Sequence, residues 1–173
     1  MTTQELYNLT VESIVAKIEN SVDLTNFARE RAKFEGWLKV ELIDILVLKG
    51  YNALPEINFI DVSFDKVGEV GKVGIELKTV NTNFKYEKVK EKIIPITQNI
   101  NDINDDINKL RKENLIDDKF VVFIVFPTNH EKNDWKKQLE HIKNNLENNQ
   151  YLYKEFYFFG KDIPGVIYYG KIK

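Results

Sequence analysis

The chain of 173 residues contains no cysteine, which excludes a disulfide framework and any thiolate metal site. Histidine is almost as scarce. His130 and His141 are the two present and lack the close pairing of a zinc motif, so a bound metal would need oxygen ligands. No uninterrupted apolar run approaches the roughly 20 residues that span a bilayer, and the opening Met-Thr-Thr-Gln-Glu-Leu has no basic region leading into an apolar stretch. A cytoplasmic protein with no membrane partner is the expectation. Positive charge is not in excess either: the formal net charge is -2 and the pI is near 5.8. That balance excludes a generic basic coat for nucleic acid, although a local basic surface beside an acidic site is compatible with it.

What remains is ordinary globular composition, 43% hydrophobic and 30% charged. The length fits one domain over residues 1–173 with one core, and no repeat, linker or low-complexity segment divides it. Leu6, Leu9, Val11, Ile14, Val15 and Ile18 recur at helical spacing and predict a helix over Thr3 to Asn20. A second, longer helix is expected from Leu24 to Lys49, with Gly50 as its left-handed C-terminal residue.

Glu56 to Phe64 alternates and is rich in β-branched and aromatic residues, as is Val73 to Val80; both read as strands joined by a hairpin connection containing Gly68 and Gly71. Helical spacing returns between Tyr86 and Lys112, with Pro95 starting or kinking that helix. Phe120 to Phe126, ended by Pro127, has the continuous apolar character of a buried central strand. A helix over Asp134 to Leu146 and strands over Tyr151 to Phe159 and Val166 to Tyr169 complete the order. The fold class expected is α/β, a mixed β-sheet flanked by helices.

Residues two apart in a strand share a face, so Glu76 and Lys78 project together while Leu77 and Thr79 point the other way. Taken alone this is also the pattern of a solvated Glu-Lys pair. The same acid-any-lysine spacing occurs at Asp117-Asp118-Lys119 and Asp134-Trp135-Lys136. Only the Glu76 copy lies inside a strand and follows a partner strand carrying an acid, Asp61. Asp61 is read as sharing a face with Ile57 and Phe59, where a lone carboxylate is costly unless paired or metal-bound. The alternatives are a turn-forming role for Asp61, or Asp65 in its place. A third acid, Glu35, lies in line with Leu38, Leu42 and Leu46 and points toward the expected core; the alternative is a surface pair with Lys39 one turn on.

Glu35 in a helix, then Ile60-Asp61-Val62, then Gly74-Ile75-Glu76-Leu77-Lys78-Thr79 resembles the PD-(D/E)xK, or restriction-endonuclease-like, nuclease superfamily. No proline precedes Asp61, as it does in the family's name. The resemblance implies a restriction-endonuclease-like sheet and a Mg²⁺- or Mn²⁺-dependent endonuclease acting on DNA in restriction, defence or repair. It implies that Asp61, Glu76 and the Leu77 carbonyl hold the metal, with Glu35 aiding the first or a second ion. Lys78 would orient or deprotonate the attacking water, and the product would carry a 5′-phosphate. The other reading is a non-catalytic nucleic-acid- or protein-binding module that keeps the fold.

Lys85, Lys88, Lys90 and Lys92 could meet phosphates, although Glu87 and Glu91 interleave with them. The aromatic residues of Tyr151 to Phe159 could stack on bases, fill a core or form a dimer interface. Trp37, Val40, Ile43 and Val47 make the long helix apolar over more than one face, which suggests a homodimer.

Overall fold

The computed structural model describes residues 1–57, 59–66, 68, 70–91 and 95–173. Six strands, β1 (Leu54–Ile57), β2 (Ile60–Asp65), β3 (Lys72–Asn81), β4 (Asp118–Phe126), β5 (Leu152–Tyr157) and β6 (Pro164–Lys171), form one mixed sheet in the order β1-β2-β3-β4-β6-β5. β3 and β4 run parallel and the other neighbours antiparallel. Helices α1 (Thr3–Glu19), α2 (Val22–Arg29) and α3 (Glu35–Leu48) pack with one core that includes Val62, Ile75, Leu77, Phe120 and Ile167. Helices α4 (Ile96–Arg111) and α5 (Asn133–Lys143) pack with a second that includes Val80, Val121, Phe123, Val125 and Tyr168. The expected α/β class, a mixed sheet with helical cover, is therefore present.

The alternation inside the strands explains both layers. In β3, Ile75 and Leu77 enter the core with α1 and α3, while Val80 enters the core with α4. In β4 the apolar run is buried along both faces, as a central strand requires. Gly74 lets α4 come close to β3: a Cβ there would stand 3.0 Å from Cγ2 of Ile116 and 3.3 Å from Cδ1 of Leu110.

Three expectations are corrected. The long helix from Leu24 to Lys49 is two helices, broken over residues 30–34, with Arg31 in the left-handed region at φ 55°. The cause is distant in sequence. The buried Arg31 guanidinium donates to the carbonyls of Lys90 (2.6 Å), Phe84 (2.7 Å) and Thr82, and the Phe34 amide donates to Thr79 Oγ1 at 3.1 Å. Those contacts hold the junction on the end of β3 and cannot be made from a continuous helix.

The helix expected from Tyr86 begins only at Ile96. Residues 82–91 are non-helical, and three of the carbonyls they contribute serve Arg31; residues 92–94 of that span lie outside the described residues. Finally, the strand expected over Glu56 to Phe64 is a tight hairpin of β1 and β2. The chain reverses beside Phe59, which has φ 65° and is 98% exposed. Gly50 does take the left-handed conformation expected of it, φ 89°.

Arg31→Met keeps much of the side-chain volume but leaves these carbonyls without donors. The expected cost is about 2 to 4 kcal/mol in chemical denaturation; a loss below the measurement error would show that the guanidinium does not hold the junction.

Candidate functional site

The β2–β3 ladder pairs Asp65 with Lys72 and runs as far as Val62 opposite Ile75, where the two strands part. Beyond that point β3 has main-chain groups on the β2 side with no strand opposite them. Carboxylates take up two of the amides. Asp61 Oδ2 accepts from the Leu77 amide at 2.9 Å, and Glu35 Oε1 accepts from the Thr79 amide at 3.1 Å. Because N–H and C=O of one strand residue point to the same side, the Leu77 carbonyl opens into this gap as well.

The hairpin between β1 and β2 alters the setting expected for Asp61. Within β2 it shares a face with Ser63 and Asp65 rather than with Ile57 and Phe59, so it is not a lone charge on an apolar stripe. Asp65, the rival for its position, is exposed at the far end of the strand. Glu35 opens α3, where a negative charge is favoured, and is half-buried against the β3 main chain instead of pointing into the core. Lys39 does not pair with it. That ammonium spans Asp61 Oδ1, at 2.7 Å, and Glu56.

Glu76 is buried, with 8% of its surface exposed. Burial, the charges of Asp61 and Asp106, and a hydrogen bond with Asp61 push its carboxyl up to about 8. Glu76 thus holds its proton far more firmly than an ordinary carboxyl, with Asp61 as its hydrogen-bonding neighbour.

Lys78 projects on the same face and pairs with Asp106 of α4, which also accepts from Lys109 at 2.9 Å. Burial lowers the pKa of Lys78, but the hydrogen bond to Asp106 and the charges of Glu35, Asp106 and Asp61 outweigh it and hold the ammonium above its ordinary value. Burial likewise opposes ionisation of Asp106, and its two ammonium partners overcome that and keep its carboxyl below the usual range.

The residues expected to form the site therefore gather at one place, the gap between β2 and β3. Glu35, Asp61, Glu76 and Leu77 lie around it and Lys78 stands beside it. Two residues were missed. Asp106 lies seven residues after Asn99 and three after Ile103, on the inner stripe of α4, and a charge in such a stripe was the available signal. For Lys39, helical spacing offers only Glu35 as a partner.

Among the described residues no three carboxylate or imidazole side chains stand together as ready ligands for a metal ion. The donors that are present nevertheless suit a hard cation. Two carboxyl groups in contact, with a main-chain carbonyl opening beside them, are all oxygen, and Mg²⁺ commonly takes one or two carboxylates and keeps several waters.

The look-alike tripeptides sit elsewhere. Asp117 accepts from the Lys72 amide at 2.7 Å, Asp118 pairs with Lys66 and Lys171, and Asp134 opens α5. The lysines considered for phosphate contact are paired: Lys85 with Glu91, Lys88 with Asp162 and Lys90 with Glu30, while Lys92 lies outside the described residues. Phe156 and Phe158 are core residues, and Tyr153 stacks on His130 with ring centroids 3.8 Å apart. Among the described residues no helix is long and apolar enough to cross a membrane.

No family model, curated protein or solved structure matches the chain.

The raised carboxyl of Glu76 has a definite sign for stability. Its folded pKa of about 8 lies above the ordinary 4.5, so the protonated form favours the folded state. That contribution is complete below the ordinary value and is lost as pH rises through the folded one. Thermal unfolding without metal is expected to show a midpoint falling across this window, with Glu76→Gln losing that part of the fall. An identical fall in the variant would remove Glu76 as its source.

Proposed function

We propose that the chain is a metal-dependent phosphodiesterase of the PD-(D/E)xK type, an endonuclease that takes DNA as substrate. The observation that carries the reading is the Asp61–Glu76 carboxylate pair beside the parted strands, with a lysine two residues after the glutamate on the same strand face. Asp61, Glu76 and the Leu77 carbonyl would hold Mg²⁺ or Mn²⁺, with Glu35 in reserve for the first or a second ion. A bound divalent cation supplies an acidified water and polarises a phosphate oxygen.

The chain's own residues define the remaining chemistry. The Leu77 amide and Lys39 fix the orientation of the Asp61 carboxylate, and the Thr79 amide fixes that of Glu35. Lys78 is held as an ammonium, so it suits orienting the attacking water and offsetting charge that develops on the phosphate, rather than removing a proton. The burial of Glu76 keeps its carboxyl away from bulk water, which strengthens the interactions made there.

Plasmid and linear DNA incubated with Mg²⁺ or Mn²⁺ are expected to be cleaved by the wild-type protein. Asp61→Ala, Glu76→Ala and Lys78→Ala are each expected to lose about a hundredfold or more in rate while remaining folded. No cleavage by wild type, or equal cleavage by the three variants, would end the nuclease reading.

A second reading, a non-catalytic binding module with this fold, draws on the ammonium groups already seated on Asp61 and Asp106. Metal titration separates the two readings. Mn²⁺ that raises the melting midpoint and releases protons as it displaces the one held by Glu76 supports the enzyme.

For a protein partner we propose a second copy of the chain on α3, whose Val40, Val47 and Leu48 remain exposed. A solution mass that stays monomeric at all concentrations would exclude it.

A further inference from the structure

We infer that Asp106 is a positioning residue for Lys78, an inference that rests on reading the acid set as a phosphodiesterase centre. Asp106 lies on the stripe of α4 that also carries Asn99, Ile103 and Leu110, with its side chain only 14% exposed. Its two oxygens divide the work. Oδ1 accepts from the outer Lys109, one turn along the helix, and Oδ2 takes the inner Lys78. The glycine at position 74 sets the distance, because a side chain there would meet Leu110 and Ile116 and hold α4 away from β3.

The need for such a clamp follows from the strand geometry. Lys78 shares its face with Glu76 and carries a long, flexible stem, so without another partner its ammonium is free to fold back onto Glu76 or Asp61. There it would fill the position that a cation requires and neutralise the pair. With Asp106 as partner, the ammonium stays beside the carboxylates and leaves their oxygens available. Among the described residues the partners of Asp106 are Lys78 and Lys109, not the Asp61–Glu76 pair; it acts through Lys78.

The experiment uses the intact chain and two readouts. The first is the ¹⁵N signal of the Lys78 ammonium in the metal-free protein, assigned by its loss in Lys78→Arg; a held ammonium exchanges its protons slowly and keeps its signal. The second is DNA cleavage with Mn²⁺, separated into kcat and KM.

Asp106→Asn is expected to broaden the Lys78 signal and to lower kcat by about 10- to 100-fold with little change in KM. Asp106→Glu is expected to restore both in large part, which a purely structural role of the aspartate would not produce. Thermal midpoints identify any variant that fails to fold, and Asp106→Ser serves as the second neutral variant. An unchanged Lys78 signal in a folded Asp106→Asn or Asp106→Ser protein overturns the inference whatever the activity. A Lys78 signal that is kept in the wild-type protein and broadened in Asp106→Asn, with no cleavage by wild type, overturns the nuclease reading while the clamp itself stands.

Discussion

The parting of β2 from β3 after the Val62–Ile75 pair is the constraint on which the rest of the site depends. A buried strand cannot leave amides unsatisfied without a cost of about 1 to 3 kcal/mol each. Had β2 continued beside β3, the Leu77 and Thr79 amides would have found main-chain carbonyls, and there would be no gap. Because it does not, side chains must serve, and the acceptors used are the carboxylates of Asp61 and Glu35. Backbone satisfaction and the gathering of negative charge are therefore one event.

Gathering carboxylates in a buried place requires compensation, and the chain distributes it unevenly. Asp61 has Lys39, and Asp106 has Lys78 and Lys109. Among the described residues Glu76 has no such ion pair, and its carboxyl is pushed toward the protonated form instead. The two inner lysines are held toward opposite helical layers: Lys39 belongs to α3, and Lys78 of β3 is drawn toward α4. A net charge of -2 for the whole chain thus coexists with a local acidic set in which the buried Glu76 is pushed toward its protonated form.

Much of this was legible in the sequence because strand alternation is a local property. Period two alone put Glu76 and Lys78 on one face, and the unbroken apolar run through Phe123 marked β4 as central. What was not legible depends on partners far along the chain. Helical spacing continues through Arg31, and nothing nearby indicates that its guanidinium will be claimed by carbonyls more than fifty residues later. The reversal beside Phe59 was hidden because the segment lacks a glycine and keeps its apolar alternation, so a turn looked like more strand. Asp106 was visible as a charge on the inner stripe of α4, but periodicity carries no information about which residue will face it.

The first strand of the sheet has a consequence of another kind. β1 is four residues long and exposed throughout, Pro55 has no amide hydrogen, and Glu56 takes a left-handed conformation, φ 57°, that breaks the regular pairing. An edge so short, bent and poor in donors is a weak template for a strand from another molecule. The same four residues that complete the sheet also stop it from growing, so the acidic gap lies close behind a boundary that resists aggregation.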